Sequence, residues 1–122
     1  MNAPDAAPLV FAPLRGDGEL GRRLRTAVAG DVLFDAASRG RYATDASIYQ
    51  VEPVGVLVPK SDADVRAAFD VCRELRVPLL PRGAGSSQCG QTVGAALVVD
   101  HSKHLNRVTA FDADARTVTV EP

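Results

Sequence analysis

The stretch from Gly55 to Leu80 limits the possible folds more than any other part of this sequence. Gly55-Val-Leu-Val58 is a short apolar run stopped by Pro59, the pattern of a strand buried on both faces. Ser61-Asp-Ala-Asp64 follows as a capping box: the Ser61 hydroxyl accepts from the amide of residue 64, and Asp64 reaches back. Val65, Ala68, Phe69, Cys72 and Leu75 then recur at helical spacing. Asp62 and Asp64 in the first turn and Arg73 and Arg76 in the last suit the helix dipole, so a helix is predicted over Ser61–Arg76. Pro78 forbids its continuation. A strand is predicted over Val77–Leu80, then a glycine-rich loop, then a third strand over Ala95–Asp100. Strand, helix and strand in so few residues form a βαβ unit with a parallel pair.

The flanks are simpler. Leu20, Leu24, Ala27 and Val28 make one helical stripe, with Asp17 placed to cap its start and Gly30 to close its end. The segment from Arg39 to Tyr49 shows neither period and reads as a connecting loop with a short turn. Arg107–Phe111 and Thr117–Val120, separated by Asp112-Ala-Asp-Ala-Arg116, read as an antiparallel hairpin. Thr117-Val-Thr-Val alternates cleanly, which predicts one wet face. The expected fold class is α+β: a small parallel βαβ sheet plus a C-terminal β-hairpin. Nothing after the last strand covers its apolar face, so the sequence reads as the opening part of a larger domain. Its expected divisions are a disordered lead-in over 1–16, a helix and connecting loop over 17–50, and the truncated domain proper over 51–122.

Composition excludes several classes of function. A chain of 122 residues has room for one domain with a core. Its net charge is −1 and its basic residues alternate with acidic ones, so no basic stripe is available to track nucleic acid. No apolar run approaches the ~20 residues of a membrane span. Residues 1–13 are rich in Ala and Pro, and the first basic residue, Arg15, follows the short apolar stretch rather than preceding it. That is not the layout of a secretory signal, and a cytoplasmic protein is expected. Cys72 and Cys89 have no histidine at ligand spacing, so neither a metal site nor a disulfide is expected. Cys72 falls on the apolar helix face, where a free thiol behaves as a small hydrophobe.

The chemistry is concentrated in Pro81-Arg-Gly-Ala-Gly-Ser-Ser-Gln-Cys-Gly-Gln-Thr92. It leaves a strand and holds three glycines and three hydroxyl residues. Glycine admits positive φ and lets a ligand approach where a Cβ would stand. Successive amides curled in this way form a nest for an anion, and hydroxyls add donors. A glycine–serine connection between strands is also often a plain loop. Three familiar phosphate or nucleophile motifs fail here. Gly-x-Gly-x-x-Gly begins at Gly83 and Gly85 but meets Gln88 at its third place, and a strand rather than a helix follows. Gly85 through Thr92 nearly spells the triphosphate loop, but Gln91 stands where its lysine must be. The hydrolase elbow Gly-x-Ser-x-Gly is absent. A nucleotide, a free phosphate or a cofactor diphosphate all remain open at this point.

The same letters carry a resemblance. Pro81-Arg-Gly-Ala-Gly-Ser-Ser with Gly90-Gln-Thr resembles the pyrophosphate loop of FAD-linked oxidases of the vanillyl-alcohol oxidase and p-cresol methylhydroxylase (PCMH) type. Tyr42-Ala-Thr-Asp-Ala-Ser-Ile-Tyr49 is similar to the segment before their first strand. Pro53-Val-Gly-Val-Leu-Val-Pro-Lys-Ser-Asp-Ala-Asp-Val is similar to that strand and the helix start, and Val98-Val-Asp-His-Ser-Lys-His-Leu-Asn-Arg-Val to the strand and turn after the loop. The resemblance runs from about Gly30 onward, and is nearest to large bacterial glycolate, D-lactate and D-2-hydroxyglutarate dehydrogenases that carry an iron–sulfur domain further along.

It implies the first subdomain of a PCMH-type FAD-binding domain, with FAD and a small 2-hydroxy acid as partners of the complete protein. It implies backbone contacts to the pyrophosphate from Arg82, Gly83, Ala84, Gly85, Ser86 and Ser87, flanked by Gly90, Gln91 and Thr92. Some members attach flavin through a loop histidine; Ser86 takes that place here, which implies non-covalent FAD. The family's catalytic and substrate-binding residues lie in later parts, so none is expected in this chain. Without those parts, a small nucleotide- or phosphate-binding module and a non-functional truncation are the alternatives. Arg82 is either a pyrophosphate partner or a surface charge. His101 and His104 bracket a turn, facing the flavin or simply packed or solvated. Cys89 has no strong base among its neighbours, and Asp45 and Tyr49 are structural candidates at the mouth of the site.

Overall fold

The computed structural model describes residues 18–122. The expected lead-in and the capping role of Asp17 therefore lie outside the described residues. Helix α1 (Glu19–Ala27) starts from Gly18, which supplies no side-chain cap. It buries Leu20 and Leu24, and Val28 packs against the same core just beyond its end, whereas Ala27 is exposed. Gly30 does not close it. Val28 is already extended, with its amide on the Leu24 carbonyl at 3.0 Å. Gly30 instead lies flat against the chain at Val58–Pro59, where an added Cβ would stand 2.9 Å from Pro59 Cα.

Two further elements occupy the region up to Arg41. Strand β1 (Asp31–Leu33) is followed by helix α2 (Ala36–Arg41), whose start is capped by Asp35 accepting from the Ser38 amide at 2.8 Å. The expected connecting loop is thus helical over its first three residues.

Next come strand β2 (Gly55–Val58), helix α3 (Asp62–Leu75), strand β3 (Leu79–Arg82) and strand β4 (Leu97–Asp100). The sheet order is β1-β2-β4-β3, with β1 antiparallel to β2 and the other pairs parallel. β4 inserts between β2 and β3, so the two strands flanking α3 run parallel without touching. β3 begins two residues later than predicted because the chain is still ending its helix. Arg76 takes the left-handed conformation (φ 54°), and the Val77 amide bonds the Cys72 carbonyl at 2.9 Å. β4 also begins late, since the Ala96 amide turns back to the Gly94 carbonyl at 2.8 Å.

β2 and β4 are buried along their whole length, and their alternate residues serve two cores. Leu57, Leu97 and Val99 face α1 and α3 with Leu20, Leu24, Phe34, Ala68, Val71 and Cys72. Val56, Val58 and Val98 face the other way, where Tyr42 covers them, with Leu33 and Leu80 alongside. This two-sided burial is why these strands read as continuous apolar runs. Two details of α3 differ from expectation. Phe69 is 57% exposed rather than buried, although its neighbours Ala68, Val71 and Cys72 are in the core. Ser61 caps as predicted, accepting from the Asp64 amide at 3.3 Å, but Asp64 does not reach back to Ser61. Its buried carboxylate accepts the amides of Ala29 (2.9 Å) and Lys60 (2.8 Å), sewing the α1–β1 turn to the head of α3.

The hairpin of β5 (Val108–Asp112) and β6 (Thr117–Val120) forms a two-stranded sheet of its own, with a bulge between Val108 and Ala110. Every residue of both strands is exposed, so both faces are open where one wet face was expected. Arg107 and Glu121 close its base, Nη2 to Oε1 at 2.8 Å and Nε to Oε2 at 3.1 Å. Among the described residues no helix is long and apolar enough to cross a membrane.

Candidate functional site

β2, β3 and β4 point the same way, and the glycine-rich loop leaves the carboxyl end of β3, the side where open parallel sheets take ligands. The sheet face under Tyr42 turns polar at this end. After Leu80 and Val98 come Arg82 and Asp100, which sit opposite one another in register. The Tyr42 hydroxyl donates to Asp100 Oδ2 at 2.5 Å, and Asp100 Oδ1 accepts the amide (2.8 Å) and hydroxyl (2.6 Å) of Ser102. Burial first, and then the bond to Asp100, push the Tyr42 hydroxyl up to about 12. Burial opposes ionisation of Asp100, but the hydrogen bonds from Ser102 and Tyr42 overcome it and hold its carboxyl below the ordinary value.

Arg82 is neither a free surface charge nor spread over the loop mouth. Its Nη1 donates to two carbonyls of its own chain, Tyr42 (3.4 Å) and Thr92 (3.3 Å), and its guanidinium carbon lies 5.3 Å from the centroid of the Tyr42 ring. Its backbone carbonyl accepts the His101 amide at 2.9 Å. Thr92 is held a second time: its hydroxyl donates to Asp45 Oδ2 at 2.9 Å, while Asp45 Oδ1 accepts the Ser47 amide at 2.8 Å. The bond from Ser47, together with that from Thr92, keeps the Asp45 carboxyl down at about 2.

Between these anchors the backbone is open. Gly85 (φ 70°) and Gly90 (φ 78°) are left-handed, and a Cβ on Gly83 would meet nothing within 4 Å. The Gly85 carbonyl accepts the Ala46 amide at 3.0 Å, yet among the described residues no carbonyl takes the amides of residues 83–90. Ser87 bonds Gln91 within the loop, through both its hydroxyl and the Gln91 amide. The Tyr49 ring packs against Gly90, where a Cβ would stand 2.7 Å from it. Gly83, Ala84, Ser86, Gln88 and Cys89 are exposed.

The residues singled out from sequence thus separate into an outer set, Gly83 through Gly90, and inner supports, Arg82 and Thr92. Tyr42 and Asp100 were missed, although Asp100 ends an apolar strand, where a carboxylate needs a partner. His104 is exposed; His101 is half-buried, with Nδ1 shielded and without a hydrogen-bond partner among the described residues. Cys72 is buried, which pushes its thiol up to about 11.

Uncommitted amides around two left-handed glycines, with space at a third, suit a diphosphate, whose oxygens only accept hydrogen bonds. A family described as FAD binding domain matches residues 53–122. The chain belongs to that family. As an FAD binding domain it is 38% identical over 95 residues to D-2-hydroxyglutarate dehydrogenase of Pantoea ananatis, covering 75% of this chain and 9% of that protein. It is 35% identical over 102 residues to glycolate oxidase subunit GlcD of Bacillus subtilis, covering 78% of this chain and 21% of that subunit. Its fold matches that of Physcomitrella patens BBE-like 1 with a TM-score of 0.69 at 20% identity, over 83% of this chain and 22% of that one. The architecture is the PCMH type that the resemblance implied. The chain thus spans less than a quarter of the length of each of these relatives.

Proposed function

We propose that the backbone of residues Arg82–Ser87, flanked by Gly90, Gln91 and Thr92, holds the pyrophosphate of non-covalent FAD, as part of a flavin-dependent dehydrogenase or oxidase of 2-hydroxy acids. One observation carries the site: among the described residues no carbonyl takes the amides of residues 83–90, a stretch that includes two left-handed glycines. The two relatives, a D-2-hydroxyglutarate dehydrogenase and a glycolate oxidase subunit, support the substrate class. Bound FAD supplies the ring that oxidises the substrate at its α-carbon. The chain's own part is to fix the cofactor's polar middle, using backbone donors whose positions are set before binding. Ser86 carries a hydroxyl where attachment would call for a histidine, which supports a non-covalent cofactor. The reading includes a cytoplasmic location and no nucleic-acid partner, in keeping with the net charge of −1.

The test is flavin content. The full gene product should purify with a flavin absorption band, and acid precipitation should leave that flavin in the supernatant. Gly85→Val forces a branched side chain into a left-handed position beside the Arg82 guanidinium. It should abolish flavin retention while the far-ultraviolet circular dichroism stays that of the parent. Unchanged flavin content in this variant rejects the site.

A further inference from the structure

Thr92 is gripped from two directions by groups of opposite charge. The Arg82 guanidinium holds its carbonyl and the Asp45 carboxylate holds its hydroxyl, although Asp45 lies 47 residues away in sequence. Arg82 also holds the Tyr42 carbonyl, and the Ala46 amide bonds the Gly85 carbonyl. The segment from Tyr42 to Ser47 is therefore tied to the loop at its entry, middle and exit. A carboxylate this close to a site for a dianion is unfavourable on charge alone, which argues that its value there is geometric.

We infer that Arg82 and Asp45 are positioning residues that clasp Thr92 and fix the exit of the loop, rather than a charge offered to the diphosphate and a bystander. This rests on the proposed function for its ligand, but not for its mechanics. Lysine does not replace Arg82: Nη1 serves both carbonyls while the flat guanidinium lies over the Tyr42 ring, and a shorter side chain ending in a point ammonium cannot hold both positions at once. Asparagine can replace Asp45: its oxygen accepts the Ser47 amide, and its NH2 donates to the Thr92 oxygen, with the hydroxyl turned round.

The experiment uses the full gene product and variants Arg82→Lys, Asp45→Ala, Asp45→Asn and Thr92→Val. Amide exchange at Ala46 is followed by mass spectrometry without ligand, and affinity is measured for FAD and for riboflavin, which lacks the diphosphate. Arg82→Lys, Asp45→Ala and Thr92→Val should each speed exchange at Ala46 about tenfold, as loss of one net hydrogen bond does, and weaken FAD about as much. Riboflavin affinity and exchange at Val56–Val58 should stay at parental values, and Asp45→Asn should behave as the parent throughout. Parental FAD affinity in Arg82→Lys, or an Asp45→Asn as weak as Asp45→Ala, overturns the clasp in favour of charge. Unchanged exchange at Ala46 overturns it whatever FAD does. If the parent takes no FAD while exchange responds as expected, the clasp stands and the proposed function falls.

Discussion

Tyr42 donates its hydroxyl proton to Asp100 Oδ2 at 2.5 Å, and the pair is buried, with exposures of 7% and 5%. With both Ser102 bonds on the other oxygen, the carboxylate is satisfied inside the fold, in register with Arg82 at the start of the glycine-rich loop. Tyr42→Phe removes the donor and leaves Oδ2 shielded from water. The expected loss is about 1–3 kcal/mol, read from urea denaturation at neutral pH.

The same pair contributes to the pH dependence of stability at both ends. The folded state holds the Tyr42 proton up to about 12 against an ordinary 10.0, so its contribution is complete below pH 10 and lost between 10 and 12. Asp100 is shifted downward, so its contribution is present above the ordinary carboxylate range and is lost as acid protonates it. Melting temperatures across pH 2–12 should fall at both ends, and Tyr42→Phe should flatten the alkaline fall. An unchanged alkaline limb in that variant rejects the assignment.

Asp64→Ala should cost about 2–3 kcal/mol, because it strands the amides of Ala29 and Lys60 together. Asp64→Asn should fall between, since one carboxamide oxygen cannot replace two acceptors and its NH2 faces a donor. Urea midpoints of the three proteins check the order.

Two glycines should respond in opposite directions to alanine. Gly30→Ala drives a methyl into the chain at Val58–Pro59 and should destabilise by about 1–3 kcal/mol. Gly40 sits within α2 with nothing within 4 Å of its missing Cβ, so Gly40→Ala should stabilise by about 0.5–1 kcal/mol. Equal effects at both positions would contradict the packing described.

The two thiols should differ sharply toward a disulfide reagent at pH 8. Cys89 is exposed and should react at once, whereas Cys72, buried and with its thiol pushed up to about 11, should react only on unfolding. Two fast equivalents in the native protein would refute the buried position.

The helix α3 was legible because its signals are local: a Ser61 cap, acids in the first turn, Pro78 beyond the end. β1 and α2 were not, at three and six residues, too short to establish any period; only Asp35 ahead of two alanines hinted at α2. Strand order escaped because Gly55–Val58 and residues 97–99 are apolar on both faces, and nothing in such runs names a neighbour. At the site, the glycines were readable from backbone requirements alone. The supports were not: Tyr42 with Asp100, and Asp45 with Thr92, are pairings 58 and 47 residues apart.

The order β1-β2-β4-β3 has a consequence during synthesis. The inner edges of β2 and β3 share one partner, the last of the sheet's four strands to be made, so both remain bare until Leu97–Asp100 has left the ribosome. In that interval each nascent chain presents two unpaired strand edges, that of β2 wholly apolar, to its neighbours on the same message. Slow translation between Arg82 and Leu97 would lengthen the exposure, and the yield of intact protein would register it.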